Sequence, residues 1–243
     1  MEITENTLLN GRLRYRQPRL GFRSGIEPIF LAATIPARAG ERVLEAGSGA
    51  GATLLCLAAR VPGITALGIE INPDLVALAT SNGAISPLAD LHFIAGDITA
   101  GPEIGLFHHA CANPPYHTSG STPSPLPARA QAKLAAAGLF AAWIVALASR
   151  LRPRGTLSLI VPAAAVPACL EAFRAARCGS VILLPLWPRA GRVAKLVLLR
   201  AVRGGRGVFQ LLPGLILHDA HGFTPAAQAI LRDAAALPLD NQG

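Results

Sequence analysis

Short apolar runs alternate with helix-forming segments along most of the chain, and this alternation constrains the fold more than any single motif does. The runs predicted as strands begin at Val43 and then cover 65–71, 91–95, 107–112, 156–161, 181–186 and 194–201. Helices are predicted over 52–60, from Asn72 and Pro73 onwards, over 128–150 and 165–176, and after Thr224. Such regular alternation is typical of an α/β protein with a doubly wound, mainly parallel sheet.

The last two predicted strands are joined only by the connection from Pro188 to Val193. This connection is too short for the crossover that parallel strands need, so the pair is predicted to be antiparallel. Residues 1–41 are interpreted as an irregular arm and a short helix that pack on the core. No repeat or linker divides the remainder, and 42–243 is predicted to form one domain.

Glycine or polar residues stand at the ends of the first four predicted strands. In chain order these are Gly47–Gly51, Glu70, Asp97 and Asn113–Tyr116. Ligands of doubly wound sheets bind beyond the carboxyl ends of the strands. The four groups are therefore predicted to share one edge of the sheet.

The first three of these groups suit a cofactor that carries adenosine. The glycine turn lets a ligand approach the backbone amides closely. Glu70 follows about 20 residues later, where a carboxylate accepts the hydroxyls of a ribose, and Asp97 can accept an adenine amino group. Residues 47–52 also fit the pattern GxGxx(G/A), so this turn alone is compatible with a nicotinamide dinucleotide as the cofactor.

The fourth group, Asn113 to Tyr116, suits a planar substrate that carries an amino group. Two prolines stop the strand and remove two backbone donors. The side-chain oxygen of Asn113 and the carbonyl of Pro114 can accept two N–H bonds. Tyr116 can stack on the substrate, with Pro115 as a further contact. The nearby histidines are interpreted as structural residues: His108, His109 and His117.

The net charge of +8 is unevenly distributed. Five arginines follow one another without an intervening acid: Arg12, Arg14, Arg16, Arg19 and Arg23. Between Arg129 and Arg206, thirteen Lys or Arg residues stand against one acid. Such clusters favour a polyanionic partner, most simply nucleic acid. Candidate substrate contacts in the arm are Arg12, Arg14 and Arg16.

Other features argue against membrane, secreted and metal-binding classes. No apolar run reaches the roughly 18 residues of a membrane span. The N-terminus carries Glu2 and Glu5 and lacks the apolar core of a secretion signal. The four cysteines show no CxxC spacing, so no metal site is predicted. Reduced thiols in a cytoplasmic protein are the expected state.

The glycine turn, the strand-end acids and Asn113–Tyr116 together resemble the class I S-adenosylmethionine-dependent methyltransferases. Among these enzymes, they resemble the members that methylate amino nitrogens and carry an Asn/Asp-Pro-Pro-aromatic motif. The resemblance implies a Rossmann-like sheet of seven strands, the last antiparallel, and S-adenosylmethionine as cofactor. It implies cofactor contacts from Glu45, Gly47, Gly49, Gly51, Glu70, Asp97 and Asn113. It assigns catalysis to Asn113, Pro114 and Tyr116, with Asn113 and Pro114 holding the target nitrogen.

Further segments between about 20 and 235 are similar to the bacterial tRNA (adenine-N6)-methyltransferase family. They are Gly21–Leu31, Trp187–Arg189 with Lys195, and His218–Thr224. Two stretches depart from the usual family sequence: Ala128–Gln131 and Val161–Ala163. The resemblance implies a class I methyltransferase domain over 42–243.

The resemblance implies methylation of adenine N6, with tRNA as the first candidate substrate. Methylation of a glutamine amide on a translation protein uses the same acceptor geometry and stays open. A non-catalytic RNA-binding module that retains the adenosine site also stays open. A nicotinamide oxidoreductase would give Asn113–Tyr116 no role. The arginine clusters favour nucleic acid over protein.

Overall fold

The computed structural model describes residues 2–20, 23–115 and 126–239, and within the last range it describes side chains from residue 138 onwards. The strands are β1 (Ile3–Leu8), β2 (Leu13–Pro18), β3 (Arg42–Ala46), β4 (Thr65–Glu70), β5 (Asp90–Ala95), β6 (Phe107–Ala112), β7 (Leu151–Pro162), β8 (Cys178–Arg189), β9 (Leu196–Arg203), β10 (Gln210–Leu211) and β11 (Leu215–His218). The helices are α1 (Glu27–Thr34), α2 (Ala52–Arg60), α3 (Pro73–Ala84), α4 (Leu126–Ser149), α5 (Val166–Ala175) and α6 (Pro225–Asp233).

The central sheet has the strand order β10-β8-β9-β7-β6-β3-β4-β5, with β11 also paired to β8. The five strands β3, β4, β5, β6 and β7 are parallel to one another, as predicted. Strand β9 is antiparallel to both β7 and β8, which confirms the prediction from the short connection after β8. The carboxyl ends of β3, β4, β5 and β6 therefore meet at one edge.

The prediction of seven strands was wrong in number, because the described sheet has nine. The two additional strands, β10 and β11, lie parallel to β8. They cover the outer side of β8, which would otherwise be an edge strand with unpaired backbone groups. The doubly wound fold is unchanged by this extension.

Helices cover both faces of the sheet, each over its own apolar cluster. One cluster packs the N-terminal residues Leu9, Leu13 and Tyr15 against α1, α2, α3 and α6. Phe30, Leu54 and Ile230 are buried in it. The other joins α4 and α5 to the sheet through Phe140 and Phe173. All four cysteines are free and buried. None of the described helices is long and apolar enough to cross a membrane.

The N-terminal arm is a β-hairpin, so the prediction of an irregular arm was wrong. Strands β1 and β2 pair in an antiparallel register around a turn in which Leu9, Asn10 and Gly11 all have positive φ. Asn-Gly between two alternating runs favours such a turn, and the sequence analysis overlooked it. In β2, Leu13 and Tyr15 face the core, Arg14 between them is exposed, and Arg16 is half-buried.

The hairpin is attached to the glycine turn through Asn82 of α3, which is fully buried. The Asn82 side-chain oxygen accepts from the amide of Arg16 at 2.9 Å. Its amide group donates to the carbonyls of Arg16 and Ala50 at 2.8 and 2.9 Å. Nothing in the sequence pattern distinguished this asparagine, because its partners lie 66 and 32 residues away.

Two predicted helix starts are confirmed by their caps. The Asn72 side chain accepts from the amide of Asp74, and Pro73 opens α3. The Thr224 hydroxyl accepts from the amide of Ala227 at the start of α6. A side-chain oxygen at this position satisfies a backbone donor that has no partner within the helix.

Candidate active site

A cavity of about 510 Å³ opens at the carboxyl ends of β3, β4, β5 and β6. Its size lies within the range of small-molecule sites in proteins. Six residues that the sequence assigned to the site line it: Gly47, Gly49, Glu70, Asp97, Asn113 and Pro115. The parallel register brings these residues together although they span 69 positions of the chain.

The glycine turn forms the β3 side of the cavity and adopts a conformation that favours glycine. Gly47 has φ +65, and a Cβ there would approach the Trp143 ring to 2.6 Å. Gly49 has φ +54, but a Cβ there would have no heavy atom within 4 Å. The turn is thus packed against α4 at Gly47 and open to a ligand at Gly49.

The carboxylate of Glu70 is held in place by backbone amides of two different segments. Its Oε2 accepts from the amide of Gly49 at 2.9 Å, and its Oε1 accepts from the amide of Asn72 at 3.0 Å. Glu70 is only 8% exposed, and this exposed part lines the cavity. Each carboxylate oxygen keeps a further lone pair, so both can still accept from a ligand hydroxyl.

Asp97 follows β5 and begins a single 3-10 turn. Its Oδ1 accepts from the amide and the hydroxyl of Thr99, each at 2.8 Å. These bonds fix the carboxylate at the cavity wall, where it is exposed to solvent. A ligand amino group at this end of the cavity would find an oriented acceptor.

The segment after β6 enters the cavity as a rigid turn. Asn113 is half-buried and lines the cavity together with Pro115, whereas Pro114 is buried. Tyr116, which the sequence assigned to stacking on the substrate, lies outside the described residues. The stretch Ala128–Gln131 lies in α4 with its side chains outside the description. Their roles stay predictions.

The apolar walls of the cavity were missed by the sequence analysis. Six side chains provide them from β4, α3, α4 and the segments that follow β4 and β5: Ile69, Ile71, Leu75, Ile98, Leu139 and Trp143. Ile71 is 73% exposed, which is unusual for a large apolar side chain beside a strand. Apolar walls of this kind suit the flat faces of a purine. Leu139 and Trp143 bring α4 to the cavity, and the Trp143 ring also packs against Gly47.

Glu45, predicted to bind the cofactor, lies beneath the glycine turn and does not line the cavity. It is 2% exposed, and its Oε2 has no hydrogen-bond partner among the described residues. Burial raises the pKa of Glu45 to about 8; the Thr53 hydroxyl lowers this pKa in part, and the charge of Glu70 raises it further. Its assignment to cofactor binding stays a prediction.

The raised pKa of Glu45 predicts a specific pH dependence of stability. Between pH 4.5 and about 8 the folded protein keeps a proton that the unfolded chain has lost, so stability falls as pH rises. The slope is at most about 1.4 kcal/mol per pH unit for one group. Glu45→Gln should remove this slope and be more stable than the wild type above pH 8. Urea unfolding at several pH values measures the difference.

Glu103→Gln is the matched control for this prediction, because Glu103 is an exposed carboxylate. The Glu103 variant should follow the pH dependence of the wild type. Parallel pH profiles for the wild type and Glu45→Gln would show that Glu45 is ionised in the folded protein.

The arm arginines are engaged in contacts within the protein. Arg14 and Arg16 both pair with Glu5, at 2.7 and 3.1 Å. Arg12 donates to the carbonyl of Asp233 at 2.9 Å. The sequence analysis found no acid among these arginines, but the hairpin register places Glu5 opposite Arg16. Exposed pairs of this kind contribute little to stability, and the arginines stay predicted substrate contacts.

The two described histidines near the site belong to the opposite edge of the sheet. His108 accepts from the amide of Arg42 at 2.9 Å. The ring of His109 contacts Thr156 at 2.8 Å and Glu41 at 3.0 Å. Both occur in β6 away from the cavity, where they link neighbouring strands. In the described part of the chain no group of His, Cys, Asp and Glu could hold a metal ion.

The known proteins to which this chain is similar are methyltransferases. The family model described as methyltransferase small domain matches residues 28–163. A tRNA1(Val) (adenine(37)-N6)-methyltransferase from Aeromonas hydrophila is 30% identical over 207 residues, which cover 84% of this chain and 86% of the relative. A release factor glutamine methyltransferase from Deinococcus radiodurans is 39% identical, but over 31% of this chain and 26% of its own length.

Among solved structures, a crystal structure from Agrobacterium tumefaciens described as a predicted O-methyltransferase superposes with a TM-score of 0.73. It covers 88% of this chain and 100% of its own, at 24% identity. At this identity the similarity shows the fold alone.

Proposed function

The chain belongs to the methyltransferase small domain family and to the family of the tRNA1(Val) (adenine(37)-N6)-methyltransferases, and we propose that it transfers a methyl group from S-adenosylmethionine to N6 of an adenine in tRNA. The observation that carries the proposal is the convergence of Gly49, Glu70, Asp97 and Asn113 on one cavity. The adenine at position 37 in the relatives' name is the first acceptor to test. A tRNA substrate also supports a cytoplasmic location.

The cavity fits S-adenosylmethionine in size and in the order of its groups. Glu70 presents a carboxylate for the ribose hydroxyls that is oriented by hydrogen bonds from the Gly49 and Asn72 amides. Asp97 presents an acceptor for the adenine amino group. The open space at Gly49 admits the methionyl end close to the backbone. This preorganisation reduces the entropy cost of binding.

S-adenosylmethionine, when bound, supplies a methyl group that its sulfonium already activates. The protein therefore needs no nucleophilic side chain, and its contribution is to orient the target nitrogen. We assign this to the Asn113 side-chain oxygen and the Pro114 carbonyl, which accept hydrogen bonds from the two amino N–H groups. Acceptors that favour a pyramidal nitrogen stabilise the transition state more than the ground state. We assign stacking on the base to Tyr116.

An adenine within a base-paired helix cannot reach the end of β6. The target must therefore be flipped out or lie in an unpaired loop. The same geometry would accept a glutamine amide, which is the second candidate function. Its support is weaker, since the glutamine methyltransferase relative matches less than a third of this chain. The net charge of +8 also favours an RNA substrate.

Methyl transfer to competing acceptors tests the proposal. The protein is incubated with labelled S-adenosylmethionine and tRNA, rRNA fragments, DNA or release factors at one salt concentration. We expect N6-methyladenosine in tRNA, identified by nucleoside analysis. Methylglutamine in a release factor with unlabelled RNA would establish the second candidate instead. Cofactor binding without transfer to any acceptor would indicate a non-catalytic module.

A further inference from the structure

The basic residues of the C-terminal half separate onto opposite edges of the central sheet. Pro162 at the end of β7 and Leu186 near the end of β8 both pair with Leu196 at the start of β9. The connection between β8 and β9 therefore emerges at the carboxyl edge, where the cavity opens. The first residues of β7 and the last of β9 lie at the opposite edge, since Thr156 pairs with Val202.

Three cations stand on or beside the β8–β9 connection: Arg189, Arg192 and Lys195. All three are exposed. Neither Arg192 nor Lys195 forms an ion pair with any described residue. Arg189 donates to the carbonyl of Asp219 at 2.6 Å, a contact that orients the guanidinium without neutralising it. Residues 172–218 contain no acid and Asp219 lies beside Arg189, so cations outnumber acids at this connection.

The connection has a defined shape. The amide of Arg192 donates to the carbonyl of Arg189 at 3.1 Å, and Gly191 between them has φ +70. The amide of Ala163 donates to the carbonyl of Lys195 at 2.9 Å, which ties the connection to the end of β7. The cations are thus presented from a turn held at both ends.

An open apolar groove of about 590 Å³ lies beside these cations. Its walls include Trp187, Val193 and Pro213. The Trp187 indole donates to the Pro213 carbonyl at 3.1 Å, which fixes the ring, and Val193 is 82% exposed. A flat apolar groove next to free cations suits a nucleobase with its phosphates, since bases stack on apolar and aromatic surfaces while cations hold the backbone.

The distance to the catalytic segment suits nucleotides that adjoin the target. Strand β9 lies two positions from β6, and β8 lies three positions from it. At about 4.8 Å per strand, the connection is displaced sideways from Asn113 by roughly 10–14 Å, and it lies about three residues, or roughly 10 Å, further along the strand direction. A stacked strand advances about 3.4 Å per nucleotide, so about four to five nucleotides cover the combined separation.

We infer that the connection from Arg189 to Lys195 and its groove bind the RNA next to the methylated adenine. Arg192 and Lys195 hold phosphates, and the groove beside Trp187 receives an adjoining base. The inference rests on the proposed function and extends it by naming the surface. The arm arginines differ from this surface because Glu5 already pairs with two of them.

The test compares two double variants with equal charge loss. Arg192→Gln with Lys195→Gln removes the proposed contacts. Arg154→Gln with Arg206→Gln removes two exposed cations from the opposite edge of the sheet. Binding of an unmodified tRNA transcript is followed by fluorescence anisotropy across a salt series, and KM for tRNA is measured beside it. Affinity for S-adenosylhomocysteine reports on folding.

We expect the first variant to raise KM and Kd for tRNA about tenfold and to reduce the slope of log affinity against log salt by about 1.5. The opposite-edge variant should stay close to the wild type. Equal weakening in both variants, or no change in the first, would overturn the inference. A wild type that binds tRNA without methylating it would refute the proposed function alone, because the binding comparison still decides the surface. A wild type that does not bind tRNA would refute both.

Discussion

Replacement of Asn113 by alanine is expected to lower the turnover of methyl transfer about 100-fold to 1,000-fold while leaving the affinity for S-adenosylmethionine nearly unchanged. The magnitude is typical of removing one oriented hydrogen-bonding group that acts on the transition state. Asn113 directly follows β6, is half-buried at the cavity and is followed by Pro114 and Pro115, which restrict its backbone. An interaction formed mainly in the transition state lowers kcat and kcat/KM together.

Asn113→Asp is the matched variant, because a carboxylate keeps the acceptor oxygen while it replaces the amide donor by a second acceptor and adds a negative charge. It should recover a substantial part of the activity that the alanine variant loses. Single-turnover kinetics and calorimetry with S-adenosylmethionine separate chemistry from cofactor binding, and thermal unfolding checks the fold. A raised KM with unchanged kcat in Asn113→Ala would show that the residue only helps the substrate to bind.

Replacement of Glu70 by alanine is expected to weaken S-adenosylmethionine binding about tenfold to a hundredfold. A hydrogen bond to a charged group contributes roughly 1.5–3 kcal/mol, which corresponds to this range. The structure adds a second cause, since Glu70 also accepts from the amides of Gly49 and Asn72. Its loss removes a ligand contact and also loosens the glycine turn. Calorimetric titration with S-adenosylmethionine measures the combined effect.

Asp74→Ala provides the control for loss of a negative charge in the same region. Asp74 lies in the first turn of α3, is exposed and does not line the cavity. This variant should bind S-adenosylmethionine as tightly as the wild type. Equal affinities for the wild type and a folded Glu70→Ala variant would remove Glu70 from the cofactor site.

The strand ends were predictable because their local chemistry is unusual. Three local patterns are rarely needed for packing alone: closely spaced glycines, acids that follow apolar runs and two adjacent prolines. Their order along the chain therefore indicates a nucleotide site. The parallel register then brings Glu70, Asp97 and Asn113 to one cavity. The antiparallel β8–β9 pair was predictable for a similar reason, because connection length limits the topology.

The sequence by itself determined the doubly wound fold and the edge predicted to carry the site, because periodicity and turn chemistry act over short distances; S-adenosylmethionine came from the family resemblance. The tertiary structure alone revealed the Trp143 contact with Gly47 and the Asn82 bonds to the arm. It alone also separated the basic residues of the C-terminal half onto opposite edges of the sheet. Each of these depends on residues far apart in the chain, and their proximity is decided by packing and strand register, which short-range patterns do not encode.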